Sequence, residues 1–152
     1  MANEIYANYS SGETLYAVIR NRQGNVWYAS GQVFEVWGTG GRDADDYDIA
    51  LTDKGGARYV GDFPTIITIA GKYGIQVFLQ AGANPANSDE LVTSREIFWS
   101  GKGEVTAERL LANKAIQDKS SGEIKYYDDD GQAVILTITP DDGKSSIIRT
   151  PS

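Results

Sequence analysis

The chain contains no cysteine and no histidine in 152 residues. Without cysteine there are no disulfides and no thiolate metal sites. Without histidine the commonest metal ligand and the commonest general base are both missing. Basic residues are also sparse: 14 Lys and Arg against 21 Asp and Glu leave a net charge of −7. Phosphate binding needs clustered cations that release counterions, so an acidic chain points away from nucleic acid. No apolar run approaches a membrane span, and Met1-Ala2-Asn3-Glu4-Ile5 lacks the basic region and apolar stretch of a secretory signal. The expectation is a protein made in the cytosol, with no cofactor, no membrane and no nucleic acid among its partners.

What is present suffices for a core. Hydrophobic residues make up 41% and charged residues 23%, near the average for soluble globular chains, so wholesale disorder is not expected. The length admits one ordinary domain, or a domain of about 100 residues with a small appendage.

The hydrophobic period is two almost throughout, which is the pattern of half-buried strands. In Leu15-Tyr16-Ala17-Val18-Ile19-Arg20 the odd positions face a core, and Ile75-Gln76-Val77-Phe78-Leu79-Gln80 repeats this with both Gln outward. Such alternation predicts an antiparallel sheet with one wet face. Between these runs, Val26 to Ala29, Val33 to Trp37, Tyr47 to Leu51 and Arg58 to Asp62 read as further strands, and Leu91 to Trp99 closes the series. Seven or eight short strands at this spacing predict an immunoglobulin-like β-sandwich or a related barrel over residues 1–100, with the sandwich preferred.

Ser100-Gly101-Lys102-Gly103 is a linker by composition. It leads into a short helix capped by Thr106 and ending near Asn113. Ala115 to Asp118, Ile124 to Tyr127, Val134 to Thr139 and Ser146 to Arg149 then read as a β-meander. Its turns are Lys119-Ser120-Ser121-Gly122, Asp128-Asp129-Asp130-Gly131 and Pro140-Asp141-Asp142-Gly143. The predicted fold class is therefore all-β: a sandwich domain over 1–100, then a helix and meander over 101–152 that act as a docking segment.

Three features invite chemistry. Asp128-Asp129-Asp130-Gly131 gathers carboxylates that suit a hard cation, yet strands begin on both sides at once, so a hairpin turn is favoured over a metal site. Arg42-Asp43-Ala44-Asp45-Asp46-Tyr47-Asp48 follows Gly38-Thr39-Gly40-Gly41, but no GK[ST] follows the glycines and the charge is negative, so a solvated loop is expected rather than a phosphate cradle. The aromatics, among them Trp27, Trp37, Tyr47, Phe63, Phe78 and Trp99, divide between core filling and surface anchors. Phe78 and Tyr16 are the outward candidates by strand parity. No serine nucleophile motif occurs, and no residue is assigned a catalytic, cofactor-binding or metal-binding role.

Tyr47-Asp48-Ile49-Ala50-Leu51-Thr52, Arg58-Tyr59-Val60-Gly61-Asp62-Phe63-Pro64 and Gly74 to Gly82 with Pro85 and Asp89 together resemble a small β-sandwich of phage and prophage structural proteins. Leu110 to Ala115, Tyr126 to Gly131 and Val134 to Thr137 are similar to a C-terminal element of the same group. The resemblance implies a non-catalytic virion component, an adaptor or decoration subunit, with tail, neck or baseplate favoured over the capsid surface. It implies docking on other virion proteins in a symmetric multi-copy assembly put together in the host cytoplasm. The alternative expectation is a carbohydrate-binding module that recognises host surface glycans through exposed aromatics.

Overall fold

The computed structural model describes residues 3–128, 131–143 and 146–151, with side chains excluded at position 109 and from 141 onward. Strand accounts for 43% of the chain and helix for 9%, and the strand pairs are antiparallel, so the protein is all-β. The chain divides into two compact units, Met1–Ile66 with Lys72–Ile97, and Ile67–Gly71 with Phe98–Ser152.

In the first unit, β1 (Ile5–Asn8), β7 (Arg58–Gly61) and β6 (Thr52–Asp53) form a sheet in the order β1-β7-β6. A larger sheet runs β4-β3-β2-β8-β9, built from β2 (Leu15–Arg20), β3 (Val26–Tyr28), β4 (Val33–Glu35), β8 (Gly71–Leu79) and β9 (Glu90–Trp99). A two-residue strand, β5 (Ile49–Ala50), adds to β2 through Tyr16↔Ala50 and Ala17↔Ile49. The register of β2 with β8 pairs Tyr16 with Phe78, Ala17 with Val77, Val18 with Gln76 and Ile19 with Ile75. Directly opposed β-branched and aromatic pairs of this kind are what stabilise a sheet.

The expected single wet face is not what β2 shows. Leu15, Ala17 and Ile19 are buried, and so are Tyr16 and Val18 on the opposite face. Tyr16 and Val18 pack with Val26, Ala44 and Tyr47, flanked by half-buried Tyr28, Trp37 and Phe78. Period two correctly marks the strand, but it records only the contrast between Leu, Ala or Ile and their neighbours. It carries no information about a loop that covers the second face.

That loop is the Gly38 to Asp48 stretch, expected as solvated chain and found as ordered structure. A one-turn helix, α1 (Ala44–Tyr47), opens at Asp43, whose carboxylate accepts from the Asp45 amide while the Asp46 carboxylate accepts from the Asp43 amide. This reciprocal capping satisfies amides that a one-turn helix otherwise leaves bare. The helix takes Tyr47 out of its expected strand and places it, with Ala44, on the β2 face.

The second unit holds α2 (Ala107–Ala112) and a four-stranded sheet in the order β10-β11-β12-β13. Its strands are β10 (Ala115–Gln117), β11 (Ile124–Tyr127), β12 (Val134–Gly143) and β13 (Ser146–Pro151). Among the described residues Ile135 and Leu136 are the buried side chains of this sheet. Pro140-Asp141-Asp142-Gly143, expected as a turn, is instead paired strand, with Pro140 opposite Arg149 and Gly143 opposite Ser146. Proline is tolerated there because β11 pairs β12 only as far as Ile138, leaving one edge of that segment without a ladder to interrupt. The Asp128 turn is braced by its own carboxylate, which accepts from the Gln132 and Ala133 amides at 3.0 and 3.1 Å. Asp129 and Asp130 lie outside the described residues.

Within this unit the Trp99 indole N–H donates to the Ile67 carbonyl at 2.6 Å, and Trp99 is fully buried. Gly101 sits against the same segment at φ 88°, where an added Cβ would lie 2.3 Å from the Thr68 carbonyl oxygen. Both the dihedral and the contact exclude a side chain. Gly101→Ala is expected to destabilise the protein by about 2–4 kcal/mol, the range of combined backbone strain and overpacking. Chemical denaturation followed by tryptophan fluorescence checks this, and an unchanged midpoint contradicts the packing described.

Candidate functional site

Arg42 and Tyr47, from the acidic stretch singled out in the sequence, meet Glu35, which the sequence did not single out, in a clamp that holds the loop over β2. Arg42 forms a two-pronged ion pair with Glu35, Nε to Oε1 and Nη2 to Oε2, both at 2.6 Å. The Tyr47 hydroxyl donates to Glu35 Oε1 at 2.9 Å and accepts from the Gly38 amide at 3.2 Å. Above the same pair the Arg42 guanidinium lies 4.2 Å from the centre of the Tyr28 ring. The Ala44 amide donates to Asn87 Oδ1 at 3.1 Å, which ties α1 to the loop after β8. Planar bidentate pairing of this type is among the strongest polar contacts available to side chains.

Two other carboxylates do similar work at loop ends. Asp89 accepts from the Ala86 amide at 2.8 Å, the Ala81 amide at 3.2 Å and the Tyr16 hydroxyl at 3.1 Å. These bonds hold its pKa below the usual carboxylate range, the Ala86 amide contributing most. Burial pushes the Tyr16 hydroxyl up, and the hydrogen bond to Asp89 adds to that. Asp53 accepts from the Gly55 and Gly12 amides at 2.7 and 2.8 Å and from the Ser11 hydroxyl at 3.2 Å, and the two amides depress its pKa. Their lone pairs serve backbone groups of turns, which is a structural use of carboxylates. Among the described residues no three metal-ligating side chains gather into a cation site.

The aromatic candidates are mostly core. Trp27, Tyr47, Tyr59, Phe63, Tyr73 and Trp99 are buried. Tyr16, expected to face outward, is 2% exposed because Phe78 stacks on it at 5.4 Å beneath the loop that Asp89 holds. Trp37 is covered by Tyr47 at 4.9 Å and by the Arg20 guanidinium at 5.0 Å, so its ring is no open platform.

The outward aromatic is one that sequence parity did not single out. Tyr6 is 51% exposed, between buried Ile5 and Ala7 on β1. The guanidinium of Arg95, from β9, lies 4.4 Å from its ring centre, and Arg95 Nη2 donates to the Glu4 carbonyl. Tyr6, Ala7 and Asn8 line one wall of a half-open recess of about 430 Å³, and Val92, Thr93 and Arg95 line the other. The Ile5-Tyr6-Ala7-Asn8 alternation was legible, but four residues make a weak period-two signal. Elsewhere the second unit displays Leu111, 88% exposed, and Ile116, 45% exposed. Ile116 belongs to β10, an outer strand whose three residues are all exposed.

Comparison of the chain with protein families, with curated proteins and with solved structures found no match.

The clamp generates two expectations. Arg42 holds the Glu35 carboxyl below its ordinary pKa. A depressed carboxylate stabilises the native state above the unfolded value, near 4.3 for Glu, and that contribution is lost as pH falls through the lower native value. The indole NMR signal of Trp37 is therefore expected to hold its native position at pH 4.3 and shift only in more acidic solution. In Glu35→Gln this acid transition disappears, and its persistence in the variant excludes Glu35 as the titrating group. Tyr47→Phe removes the hydroxyl that bridges Glu35 and Gly38, with an expected loss of about 1–2 kcal/mol by chemical denaturation.

Proposed function

We propose that the chain is a non-catalytic structural subunit of a phage-type particle, an adaptor or decoration protein that docks on neighbouring virion proteins and is present in several symmetric copies. Its first unit is read as an immunoglobulin-like sandwich formed by the β1-β7-β6 sheet and the larger β4-β3-β2-β8-β9 sheet. The second unit is read as the docking segment.

The observation that carries this reading is the contrast between the two kinds of surface. The carboxylates of Glu35, Asp53 and Asp89 are engaged by groups of the chain itself, in bonds that hold loops in place. Meanwhile Leu111 stands almost wholly in solvent on α2, and exposed Ile116 follows it in sequence on the outer strand β10. Large apolar side chains beside an unpaired edge are a recurrent basis for protein association. The resemblance of the Tyr47 to Asp89 and Leu110 to Thr137 stretches to phage structural proteins supplies the context of the particle.

Leu111→Asp combined with Ile116→Asp is expected to leave the circular-dichroism spectrum and unfolding midpoint near wild type, because both side chains are exposed. The same pair of changes is expected to abolish incorporation into particles purified on a density gradient and probed by immunoblot. Full incorporation of the double variant overturns the second unit as the anchor. Absence of the wild-type chain from every particle made by a producing strain overturns the virion role.

A further inference from the structure

Among the described residues β10 is an outer strand of the second unit's sheet, and each of its residues is exposed. On its inner side it pairs with β11 through Ala115↔Tyr126, Ile116↔Lys125 and Gln117↔Ile124. The hydrogen bonds at the two ends fix which residues bond toward β11. The Tyr127 amide donates to the Lys114 carbonyl at 3.0 Å, and the Asp118 amide donates to the Glu123 carbonyl at 2.8 Å. Successive residues of an antiparallel strand direct their amides and carbonyls to opposite edges. Lys114, Ile116 and Asp118 therefore bond toward β11, and the amides and carbonyls of Ala115 and Gln117 point outward. By the same alternation the side chains of Lys114, Ile116 and Asp118 share one face of the sheet.

The run Lys114-Ala115-Ile116-Gln117-Asp118 is self-complementary. Set antiparallel against the same run of a second copy, about a two-fold axis through Ile116, Ala115 faces Gln117 of the other copy. The outward groups then exchange a pair of amide–carbonyl hydrogen bonds on each side of the axis. Ile116 meets Ile116 at the axis, in the closely spaced class of cross-strand pair where side chains touch, and Lys114 faces Asp118 of the other copy at both ends. Registers displaced by two residues also keep the outward groups opposed, but they set Ile116 against Lys114 or Asp118. The register about Ile116 is the one of these that matches apolar to apolar and cation to anion, as a two-fold contact requires.

We propose that β10 joins two copies of this chain edge to edge, in a sheet that runs on across a two-fold axis through Ile116. The occupant is a second copy rather than a strand of unrelated sequence, because opposite charges stand at equal distances on either side of Ile116. The net charge of −7 does not oppose the contact locally, since the stretch from Asn113 to Lys119 carries two Lys and one Asp. Both charged groups keep capacity for the pairing. Lys114 Nζ lies 4.7 Å from the Tyr127 ring, which takes one side of an ammonium with three donors. Asp118 accepts from the Ser120 amide, the Ser120 hydroxyl and the Ser121 amide, all through Oδ1, which turns Oδ2 to the ammonium of the other copy. A contact between two three-residue strands is of the weak class, suited to subunits that a larger particle already holds side by side. The proposal rests on the reading of the second unit as a contact region and names the partner at β10. It is measured on the isolated chain, so its failure and a failure of incorporation into particles are separate results.

The test is analytical sedimentation of the full-length protein up to millimolar concentration, with amide hydrogen exchange followed by ¹⁵N NMR. The expected result is a monomer–dimer equilibrium in which the Ala115 and Gln117 amides gain protection as dimer forms, while the Ile116 amide, already turned toward β11, changes little. Lys114→Asp sets like charges opposite each other at both ends of the contact and is expected to weaken self-association about tenfold. Asp118→Lys does the same with the opposite sign. Mixed in equal amounts, the two variants restore both charge pairs in a heterodimer and are expected to associate about as tightly as the wild-type chain. Asp118→Lys also removes the acceptor of the Ser120 and Ser121 amides, so its fold is checked by the same spectra. Gln117→Pro deletes an outward donor without altering charge or that turn, and is expected to weaken the dimer while the protein stays folded. A chain that stays monomeric at millimolar concentration overturns the proposal and leaves the edge to a different protein. A dimer without protection at Ala115 and Gln117, or one indifferent to Gln117→Pro, overturns it in favour of another surface. Folded charge variants that associate no better together than apart overturn the register about Ile116.

Discussion

Five consecutive residues of β2, Leu15 to Ile19, leave water completely, and a strand in that position has to be covered twice. Each fully buried Leu, Ile or Val side chain contributes about 1.5–3 kcal/mol relative to exposure, so an uncovered second face would forfeit much of what the first face gains. The cover is not a second regular sheet but a loop with a one-turn helix, which has too few hydrogen bonds of its own to stay folded in isolation. Its persistence depends on the Glu35, Arg42 and Tyr47 contacts and on the reciprocal Asp43 and Asp46 cap. The polar clamp and the apolar cluster of Tyr16, Val18, Val26, Ala44 and Tyr47 are thus mutually dependent. Removing the clamp exposes the cluster, and removing the cluster leaves the clamp with nothing to hold down.

Use of carboxylates to secure turns has a functional corollary. A carboxylate that binds backbone amides is pulled toward its ionised form, as Asp53 and Asp89 are. Proton transfer near neutral pH calls for the reverse, a group poised close to the working pH. The exposed surface of the second unit is of another kind, with the apolar side chains of Leu111 and Ile116 turned to solvent.

Parity along the chain determined a good deal. The alternation at Leu15 to Arg20 and Ile75 to Gln80 marked both runs as strands, because a strand sends alternate side chains to opposite sides whatever its surroundings, while their pairing as neighbours came only from the tertiary structure. Turn chemistry marked the ends of most strands for a similarly local reason. Only the tertiary structure decided which polar runs are ordered. Gly38 to Asp48 reads as a solvated loop in composition, yet it folds because Glu35, seven residues before Arg42 in sequence, meets both Arg42 and Tyr47. Likewise the run from Pro140 to Gly143 has the residues of a turn and becomes strand because β13 supplies it with a partner ladder. Tyr16 and Tyr6 make the same point in opposite directions: both alternate with aliphatic neighbours, and one is buried by Phe78 and the Asp89-held loop while the other stays open. Local periodicity assigns a side chain to a face, but what covers that face is set by contacts remote in sequence, which no period can encode.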